Sequence, residues 1–593
     1  MPKLPPAAKE QSFDWRQAGR AKRWPPLNTV NLIPFWLLQL GTATLLFWVI
    51  CELVKFAMAF TNDLLVKLPY LQPFQPFYND PTQSLLLALL LALSLSPWLL
   101  DGLLRLFYGF QPLSIDVLST HSPEAMRVLQ RYCRKRRWPL PQLGILPTTA
   151  PVALTYGNLP RNARIVVSQG LLEQLADDEI ATIYGGCLGH IAHWDFVVMS
   201  LVIVVTQLPY TVYQQVSQWG DRRSNPILQG GAAAIATLAY GVWWLLGAPA
   251  LWLSQLRIYY SDRICAEITG NPNGLTRALL KIAQGIAADV QQQGNTSGLL
   301  SSLNLLAPVS HQQAISLGSL HSCTQLELAL KWDYLNPYRH WLIINNTHPL
   351  IGDRLQRLAL IAHHWHLETE LNFLPLSPFL PLQSFFLQCA PLFGMALSFA
   401  FGGLLWLIWQ IGFMLEFWQL KWIYDDWSFI KGCLTIGFGI GTLGRINSLF
   451  PDLKPSMPTN PSLPHLLANP TALPVDSQPV RLQGKLLGRR GISNWLGQDL
   501  ILHSPTGLVK LHHESFLGPI GSLLFSHSPR PSDLVGRELI ATGWFRRGAT
   551  PWIDIDKLQT QGGTTSRSGH PVWSTLLASA AAICGAYIIW QGG

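Results

Sequence analysis

Long runs of residues without a charged side chain constrain this chain more than any other feature. Five predominantly apolar segments of at least 20 residues contain no Asp, Glu, Lys or Arg and no cluster of prolines: 30–51, 81–100, 196–219, 224–256 and 571–593. Because a helix needs about 20 apolar residues to cross the hydrocarbon core of a bilayer, each run predicts a membrane-spanning helix. Charged residues make up only 13% of the chain, about half the usual fraction of a soluble domain. The sequence therefore predicts an integral membrane protein.

Two further segments are less regular. Three prolines interrupt the first part of the uncharged segment 371–415, so a span is expected in its second part, near Cys389–Leu415. The glycine-rich segment Gly432–Gly444 has only 13 residues and lies between two cations, Lys431 and Arg445. It can cross only if both cations reach the interfaces. We expect a span here, which gives seven crossings; a surface-lying or re-entrant helix is the alternative.

The basic residues predict the orientation in the membrane. Six Lys and Arg residues precede the first span, whereas the following loop has only Lys55 and Lys67. Six more follow the second span: Arg127, Arg131, Arg134, Lys135, Arg136 and Arg137. Cytoplasmic segments of membrane proteins collect Lys and Arg, so the N-terminus and residues 110–195 are expected in the cytoplasm. The same tendency accounts for the net charge of +9, and no nucleic-acid partner is expected.

The spans and the polar segments between them predict a mostly α, polytopic helical protein with seven parts. These are a basic N-terminus (1–29), two transmembrane helices (30–109), a mixed domain interrupted by a transmembrane hairpin (110–370, hairpin 196–256), a membrane region with one or two helices (371–450), a Pro-rich linker (451–479), a small β-domain (480–560) and a C-terminal transmembrane helix (571–593). In the mixed domain, Arg164–Ser168 reads as a strand, and Leu171–His193 and Leu275–Ala287 read as helical.

The last two soluble parts differ in composition. The eight prolines of segment 451–479 predict a stiff, extended connection. Residues 480–560 contain five short alternating segments separated by glycine turns: VRLQGKLLG, QDLILHS, GLVKLH, ELIATGWF and WIDID. Five strands of this kind predict a small β-barrel of the oligonucleotide-binding type.

Three motifs in the mixed domain carry the chemistry. Segment 171–196 reads LLEQLADDEIATIYGGCLGHIAHWDF, segment 257–283 reads RIYYSDRICAEITGNPNGLTRALLKIA, and segment 346–358 reads NTHPLIGDRLQRL. Their order resembles that of the HtpX-type membrane metallopeptidases and the related CAAX prenyl proteases, which carry HExxHxxHxD before a transmembrane hairpin, then ExxAD, TGNP and Thr-His-Pro. The resemblance covers roughly residues 110–360. It implies a zincin-like metallopeptidase domain in 110–370.

In the same alignment, this chain lacks essential active-site residues of that family. With the second histidine of HExxH at His190, the first histidine falls on Gly186 and the glutamate on Cys187. With Asp262 as the aspartate of ExxAD, the third zinc ligand falls on Ile258. Two of three ligands and the general base are therefore missing, and no metal-activated water is expected. An apolar contact should join the two helices where zinc once did, with Ile258 buried in it.

These replacements predict a pseudopeptidase with no catalytic residues and no cofactor. We interpret it as a membrane scaffold that binds polypeptide segments or a partner protein through the old cleft. The alternative is an active membrane metallopeptidase or hydrolase in protein quality control, working through a rearranged zinc site or through Cys187. His190 is at most a weak metal ligand, and His193, one helical turn further on, is not expected to be one.

Other candidate residues have simpler interpretations. The histidines of the HHWH segment, His363, His364 and His366, are expected at a solvated helix end. His348 of the Thr-His-Pro segment is expected to be structural. The Arg131–Arg137 cluster favours an anionic lipid surface or an orientation signal. In the barrel, Gly484, Arg489, Arg546 and Arg547 show no basic and aromatic stripe for an oligonucleotide.

Partners and location follow from the same features. The lipid bilayer is the first partner, and membrane or unfolded polypeptides or another protease subunit are further candidates. The resemblance implies a multi-pass protein of a bacterial inner membrane, plasma or internal, with its N-terminus and its peptidase-like domain in the cytoplasm.

Overall fold

The computed structural model describes residues 15–68, 70–320, 322–373, 381–416, 427–454, 459–515 and 530–592. Within them, seven helices are long and apolar enough to cross a membrane: Ile33–Lys67, Thr82–Tyr108, Asp195–Asp221, Pro226–Thr269, Ala390–Met414, Trp427–Leu449 and Val572–Gln591. Each predicted span falls on one of these helices, so the prediction of a polytopic helical membrane protein is confirmed. The predicted loop residues between Glu416 and Trp427 and the prolines of 374–380 lie outside the described residues.

The fourth of these helices is much longer than a bilayer is thick. It consists of helix Pro226–Gly247, a 3₁₀ turn at Ala248–Ala250 and helix Leu251–Thr269. Its 44 residues span about 66 Å at about 1.5 Å per residue, against about 30 Å for the hydrocarbon core. The second half therefore continues beyond the membrane and forms one wall of the candidate site.

The glycine-rich sixth span is longer than the uncharged run suggests. Helix Trp427–Leu449 has 23 residues, so Lys431 and Arg445 lie inside it. A Cβ atom at Gly437 or Gly441 would come within 2.3 Å of a backbone oxygen of the fifth span. A Cβ atom at Gly432 or Gly439 would come within 2.7 Å of a backbone oxygen of the last span. The glycines thus allow two neighbouring helices to approach this one closely.

The chain divides into two compact units, residues 1–334 with 338–376 and residues 335–337 with 377–593. The first unit holds a four-stranded sheet of β1 (Gln111–Pro112), β2 (Gln142–Leu146), β3 (Ala153–Tyr156) and β4 (Arg164–Ser168), in the order β1-β2-β4-β3. β2 and β4 are parallel, and β3 is an antiparallel edge strand beside β4. The strand predicted at 164–168 is confirmed.

Short helices and 3₁₀ turns complete the first unit. The helices are Ile115–His121, Pro123–Arg136, Gln169–Gln174, Asp177–His193, Pro272–Gln293, Gly298–Ser302, His311–Gly318, Cys323–Leu335, Arg339–Leu342 and Ile351–His364. The 3₁₀ turns are Gln75–Tyr78, Pro160–Asn162 and Asn304–Leu306. The helices predicted at 171–193 and 275–287 are confirmed, the first with a break at Leu175–Ala176.

The described part of the N-terminal segment packs on the mixed domain. The backbone N–H groups of Gln17 and Ala18 donate to the Glu370 carboxylate at 3.1 and 3.0 Å. The Asn273 side chain donates to Gly19 O at 2.9 Å, and Ala21 N donates to Gly270 O at 2.9 Å. Segment 15–21 and the mixed domain therefore share one side of the membrane.

The second unit contains a closed barrel. Its strands are β5 (Gln478–Gly488), β6 (Leu500–Ser504), β7 (Gly507–His512), β8 (Glu538–Arg546) and β9 (Trp552–Thr560), with β10 (Thr565–Arg567) added to β9. β5, β6 and β7 pair in sequence, β7 pairs with β9 in parallel, and β9 pairs with β8. Because β8 pairs back with β5, the circuit closes. The five predicted strands and the small-barrel prediction are confirmed; β10 was not predicted.

The prediction of a stiff, extended connection at 451–479 is wrong. Helix Leu463–Leu467 lies within it, and β5 begins at Gln478. Leu463 and Leu473 are fully buried, and the Leu463 N–H donates to Thr506 Oγ1 of the barrel at 3.2 Å. The prolines exclude a long helix, but the leucines between them have apolar surface to bury, and burial determines the structure here. Residues 455–458 lie outside the described residues. The remaining helix and 3₁₀ turns of this unit are Leu382–Gln388, Gly491–Asn494 and Pro531–Leu534.

Candidate peptidase-like site

Two helices form the walls of the candidate site. We call Asp177–His193 the site helix and Leu251–Thr269 the facing helix. The site helix begins with three acidic residues, which stabilise the positive end of the helix dipole. One of them, Glu179, accepts a hydrogen bond from the Ala176 N–H at 2.9 Å. Its carboxylate also pairs with Arg277 and Lys281 at 3.2 and 2.8 Å, which anchors the start of the helix.

The positions assigned from the sequence come together in space. Gly186, Cys187 and His190 of the site helix and Ile258 of the facing helix line one cavity of about 30 Å³. This volume can hold one or two water molecules. Ile258 is only 2% exposed, so its predicted burial against the site helix is confirmed.

Glycines bring the two helices unusually close together. A Cβ atom on Gly189 would lie 3.0 Å from Ser261 Cα, and one on Gly185 would lie 3.2 Å from Thr269 Cγ2. Two hydrogen bonds bridge the same contact: Ser261 Oγ donates to Gly186 O at 2.8 Å, and Cys265 Sγ donates to Thr182 O at 3.0 Å. Direct packing and hydrogen bonding therefore join the helices.

His190 is held by a buried carboxylate. Its Nδ1 lies 3.1 Å from both oxygens of Asp195, a residue with no exposed surface. Arg257, also buried, places Nη1 3.9 Å from Asp195 Oδ1 and donates to Leu305 O. Because Asp195 pairs with Nδ1, Nε2 is the ring nitrogen of His190 that remains for another partner. The His190 side chain lines the cavity.

The aspartate of the second motif and the arginine of the third are paired. Arg354 donates to the two oxygens of Asp262 at 2.8 and 2.9 Å, a bidentate pair between buried side chains. His348 Nε2 bonds to Ala307 O and its Nδ1 to Thr347 Oγ1, both at 2.8 Å. Burial lowers the pKa of His348 to about 3, so the ring is neutral and has the structural role predicted for it.

Cys187 lacks the properties of a nucleophile. It is 6% exposed, and burial raises the pKa of its thiol to about 11. The reactive form of cysteine is the thiolate, and it is nearly absent at neutral pH when the pKa is this high. The hydrogen bonds of His190 go to Asp195, so His190 Nδ1 is not directed at the thiol.

The other histidines of the sequence analysis lie away from the cavity. His193 is 7% exposed and packs edge-on against Phe35 and Tyr260; burial lowers its pKa. The HHWH histidines are exposed at and just after the end of helix Ile351–His364. None of these residues lines the cavity, as far as the described residues show.

The basic residues singled out in the sequence are exposed in the first unit and paired or buried in the second. Arg127, Arg131, Arg134 and Lys135 are exposed and line one shallow groove on helix Pro123–Arg136. In the barrel the arginines are used internally. Arg489 pairs with Asp499 at 3.3 Å, Arg546 pairs with Asp554, and both Arg546 and Arg547 are 3% exposed. They are not available to bind an oligonucleotide.

No sequence pattern indicated the segment that closes the cleft. The 3₁₀ turn Asn304–Leu306 packs beside edge strand β3, and Leu306 and Pro308 line the cavity together with Ala153 and Thr155 of that strand. Buried side chains hold the carbonyls of this segment: Arg257 on Leu305, His348 on Ala307, and Arg354 on Pro308. Three separate helices and loops supply these contacts, so no local pattern could have indicated them.

The residues present do not fit the zinc site that the family resemblance implies. Gly186 has no side chain, and a Cβ atom built on it would lie 3.3 Å from Ser261 Oγ. Ile258 is apolar, and Cys187 is a buried, protonated thiol. Of the positions that the alignment assigns to the zinc site, His190 alone offers a ligand atom of the required kind, and both oxygens of the Asp262 carboxylate, which also lines the cavity, are bound by Arg354. One histidine does not make the three-ligand site that catalytic zinc needs.

Comparison with known proteins relates the mixed domain to a peptidase family. Residues 120–362 match the model of Peptidase family M48. The chain is similar to three proteins named "Protease HtpX homolog". It is 26% identical to the protein from Syntrophobacter fumaroxidans, in an alignment that covers 40% of this chain and 86% of that protein. It is 30% identical to the protein from Methanothermobacter thermautotrophicus (28% of this chain, 61% of that protein) and 28% identical to the one from Arthrobacter sp. (42% of this chain, 75% of that protein). A crystal structure of Ste24p from S. mikatae matches 55% of this chain and 67% of that chain at 14% identity, with a TM-score of 0.27, which is too low to support a structural argument.

Proposed function

Because residues 120–362 belong to peptidase family M48, we propose that this membrane protein is a catalytically inactive member of that family, acting as a membrane scaffold that binds a polypeptide or a partner protein. One observation carries the proposal. The two helices that would share a zinc ion are packed directly on each other through Gly185, Gly189 and Ser261. The metal-binding and water-activating groups of the family are not available at that contact.

The missing groups have large effects on the chemistry. Mutation of a residue that only hydrogen-bonds to a metal ligand lowers metal affinity or activity by about 10–100-fold. Replacing two ligands by Gly186 and Ile258 leaves no means of lowering the pKa of a water molecule to about 7. Replacing the base by Cys187 also removes the group that takes the proton from that water.

The scaffold part of the proposal rests on side-chain pairs that the domain retains around the site. The domain keeps the hydrogen-bonded pair His190–Asp195 and the ion pair Asp262–Arg354. The second pair joins the facing helix to helix Ile351–His364 and so stabilises the arrangement of the helices. Because segment 304–308 covers β3 and fills the old cleft, a partner protein on the outer surface of the domain is favoured over a polypeptide inside the cleft.

Activity and zinc content test the catalytic half of the proposal together. We expect the full-length protein, purified in detergent without chelators, to leave unfolded casein intact, while a relative with intact HExxH cleaves it. We also expect the zinc content to be the same in wild type and in His190→Ala. Casein cleavage that His190→Ala or Cys187→Ala abolishes would overturn the proposal and support the active alternative.

Isolation from native membranes tests the scaffold half. Tagged protein extracted in mild detergent should bring down a membrane protein in near-stoichiometric amount. The tagged first two spans alone, with residues 110–593 removed, are the control for non-specific capture. Recovery of the full chain without any such protein would contradict the scaffold role, whatever the result with casein.

A further inference from the structure

A cluster of metal-binding side chains lies in the second unit. We propose that His512, Asp554 and His570 bind a divalent transition-metal ion of the zinc type, and that the half-buried Glu514 side chain, which contacts His570, turns toward them to become the fourth ligand. The site is formed by residues of the barrel and of the segment that leads into the last span, so it is separate from the peptidase-like site and does not rest on the proposed function.

The geometry brings three ligand groups from three places in the chain to one point. His512 ends β7, Asp554 lies in β9, and His570 precedes helix Val572–Gly592 by two residues. Their ligand atoms all lie within 4.8 Å of one another. In a tetrahedral zinc site the ligand atoms are about 3.4 Å apart, from metal–ligand distances of about 2.0–2.2 Å. A contraction of at most about 1.4 Å is needed, and the His512 side chain is 53% exposed and can move.

His570 is the strongest indication that a ligand belongs here. It is 6% exposed, and neither of its ring nitrogens makes a hydrogen bond to any described residue. A buried polar group without a partner destabilises the fold. The Glu514 carboxylate lies 3.3 Å from His570 Nδ1, in contact but not in hydrogen-bonding geometry. A metal ion between them would give both groups a partner.

Asp554 is held in the orientation that a ligand needs. Its Oδ2 accepts from Arg546, while Oδ1 accepts from Trp552 Nε1 at 2.9 Å and lies 3.0 Å from His512 Nδ1. Arg546 is itself fixed, because it donates to Pro474 O at 2.9 Å and to Leu449 O at 3.0 Å. Metal-binding carboxylates are commonly held by such outer hydrogen bonds. The set has two imidazoles, two carboxylates and one guanidinium, so a divalent cation meets a net charge of −1.

A metal ion here would have a structural role. It would fasten the end of β7 and the beginning of β9 to His570, which leads into the last span. The barrel would then be joined to that helix by coordination bonds as well as by the backbone. Closed, four-coordinate sites of this type stabilise folds.

Metal titration of the full-length protein tests the site. The protein in detergent is stripped with a chelator, dialysed, and titrated with Co²⁺, whose visible absorption reports tetrahedral coordination, and then with Zn²⁺. We expect one equivalent to bind to wild type and to raise its Tm. In His512→Asn and His570→Asn, the affinity should fall at least 10-fold and the Tm should no longer respond to zinc.

Two matched variants separate this site from its surroundings. His513→Asn alters the neighbouring histidine, whose ring lies 3.3 Å from Arg567 O, and His190→Ala alters the peptidase-like site. Both should keep wild-type metal affinity. Because the His512 side chain is half exposed, we expect His512→Asn to fold. This variant therefore tests the metal site even if His570→Asn does not fold. A stripped wild type that takes up no metal would overturn the proposal, as would unchanged affinity in His512→Asn.

Discussion

Ser261 Oγ donates a hydrogen bond to Gly186 O across 2.8 Å, and these two residues stand at the centre of the old catalytic site. Gly186 occupies the position of the first zinc-binding histidine, and Ser261 occupies the alanine position of ExxAD. The serine hydroxyl therefore points at the space that a histidine at position 186 would need. A Cβ atom at position 186 would lie 3.3 Å from this hydroxyl, so we expect zinc ligands introduced here to bind best when Ser261 is also replaced.

This relationship predicts how zinc binding can be restored. We expect Gly186→His, Cys187→Glu and Ile258→Glu combined with Ser261→Ala to bind one zinc ion more than wild type. The same triple variant with Ser261 retained should bind less, because its Cβ at position 186 would lie 3.3 Å from Ser261 Oγ. Metal analysis of both proteins measures the difference. Addition of His190→Ala should remove the extra zinc; extra zinc that persists without His190 would show that the ion binds elsewhere.

The close approach of the two helices predicts a localised loss of stability. A Cβ atom at position 189 would lie 3.0 Å from Ser261 Cα, and backbone atoms cannot rotate away. We expect Gly189→Ala to lower the free energy of unfolding by about 1–3 kcal/mol. Thermal unfolding in detergent measures it. Gly241→Ala, whose Cβ meets nothing within 4 Å, should be neutral; equal Tm values for both variants would contradict tight packing at Gly189.

The buried state of His348 predicts a loss of stability in acid. Burial lowers the pKa of His348 from 6.5 to about 3, so below about pH 6.5 the unfolded chain binds a proton that the folded chain does not. Stability then falls by about 1.4 kcal/mol for each pH unit down to the folded pKa. Between pH 6.5 and pH 5 we expect wild type to lose about 2 kcal/mol more than His348→Asn. Denaturant unfolding at the two pH values measures this; His363→Asn, an exposed control, should follow wild type.

The seven spans predict the side of the membrane on which the barrel lies. With the sixth span counted, we expect the barrel on the same side of the membrane as the peptidase-like domain, which the basic residues predict to be the cytoplasm. A cysteine introduced at Gln561, exposed at the turn after β9, should be labelled by a membrane-impermeant reagent only in permeabilised cells; Ser504 is too buried for this purpose. Asn79→Cys in the first loop should be labelled in intact cells and Arg131→Cys should not. Labelling at position 561 in intact cells would place the barrel outside.

Much of the fold could be predicted because its determinants are local. Each crossing needs about 20 apolar residues whatever its neighbours are, so five of the seven spans are visible as uncharged runs of at least 20 residues. The fifth span is visible as the proline-free part of a longer uncharged run, and the sixth only as a short glycine-rich run between two cations. The strands of the barrel show as alternation that ends at glycine turns. The replacements at Gly186, Cys187 and Ile258 were visible for a similar reason: zinc needs particular atoms at a fixed helical spacing, and their absence can be read directly.

Only the tertiary structure decided what depends on contacts between distant residues. The leucines of segment 451–479 fold against the barrel although the prolines around them predict an extended chain, because burial of apolar surface outweighs local preference. Segment 304–308 covers β3 because three buried side chains hold its carbonyls. His512, Asp554 and His570 meet only because the barrel closes. Local composition determined which segments cross the membrane and which ligands are lost; long-range packing, which no short window of sequence contains, decided what fills the old site and where another could form.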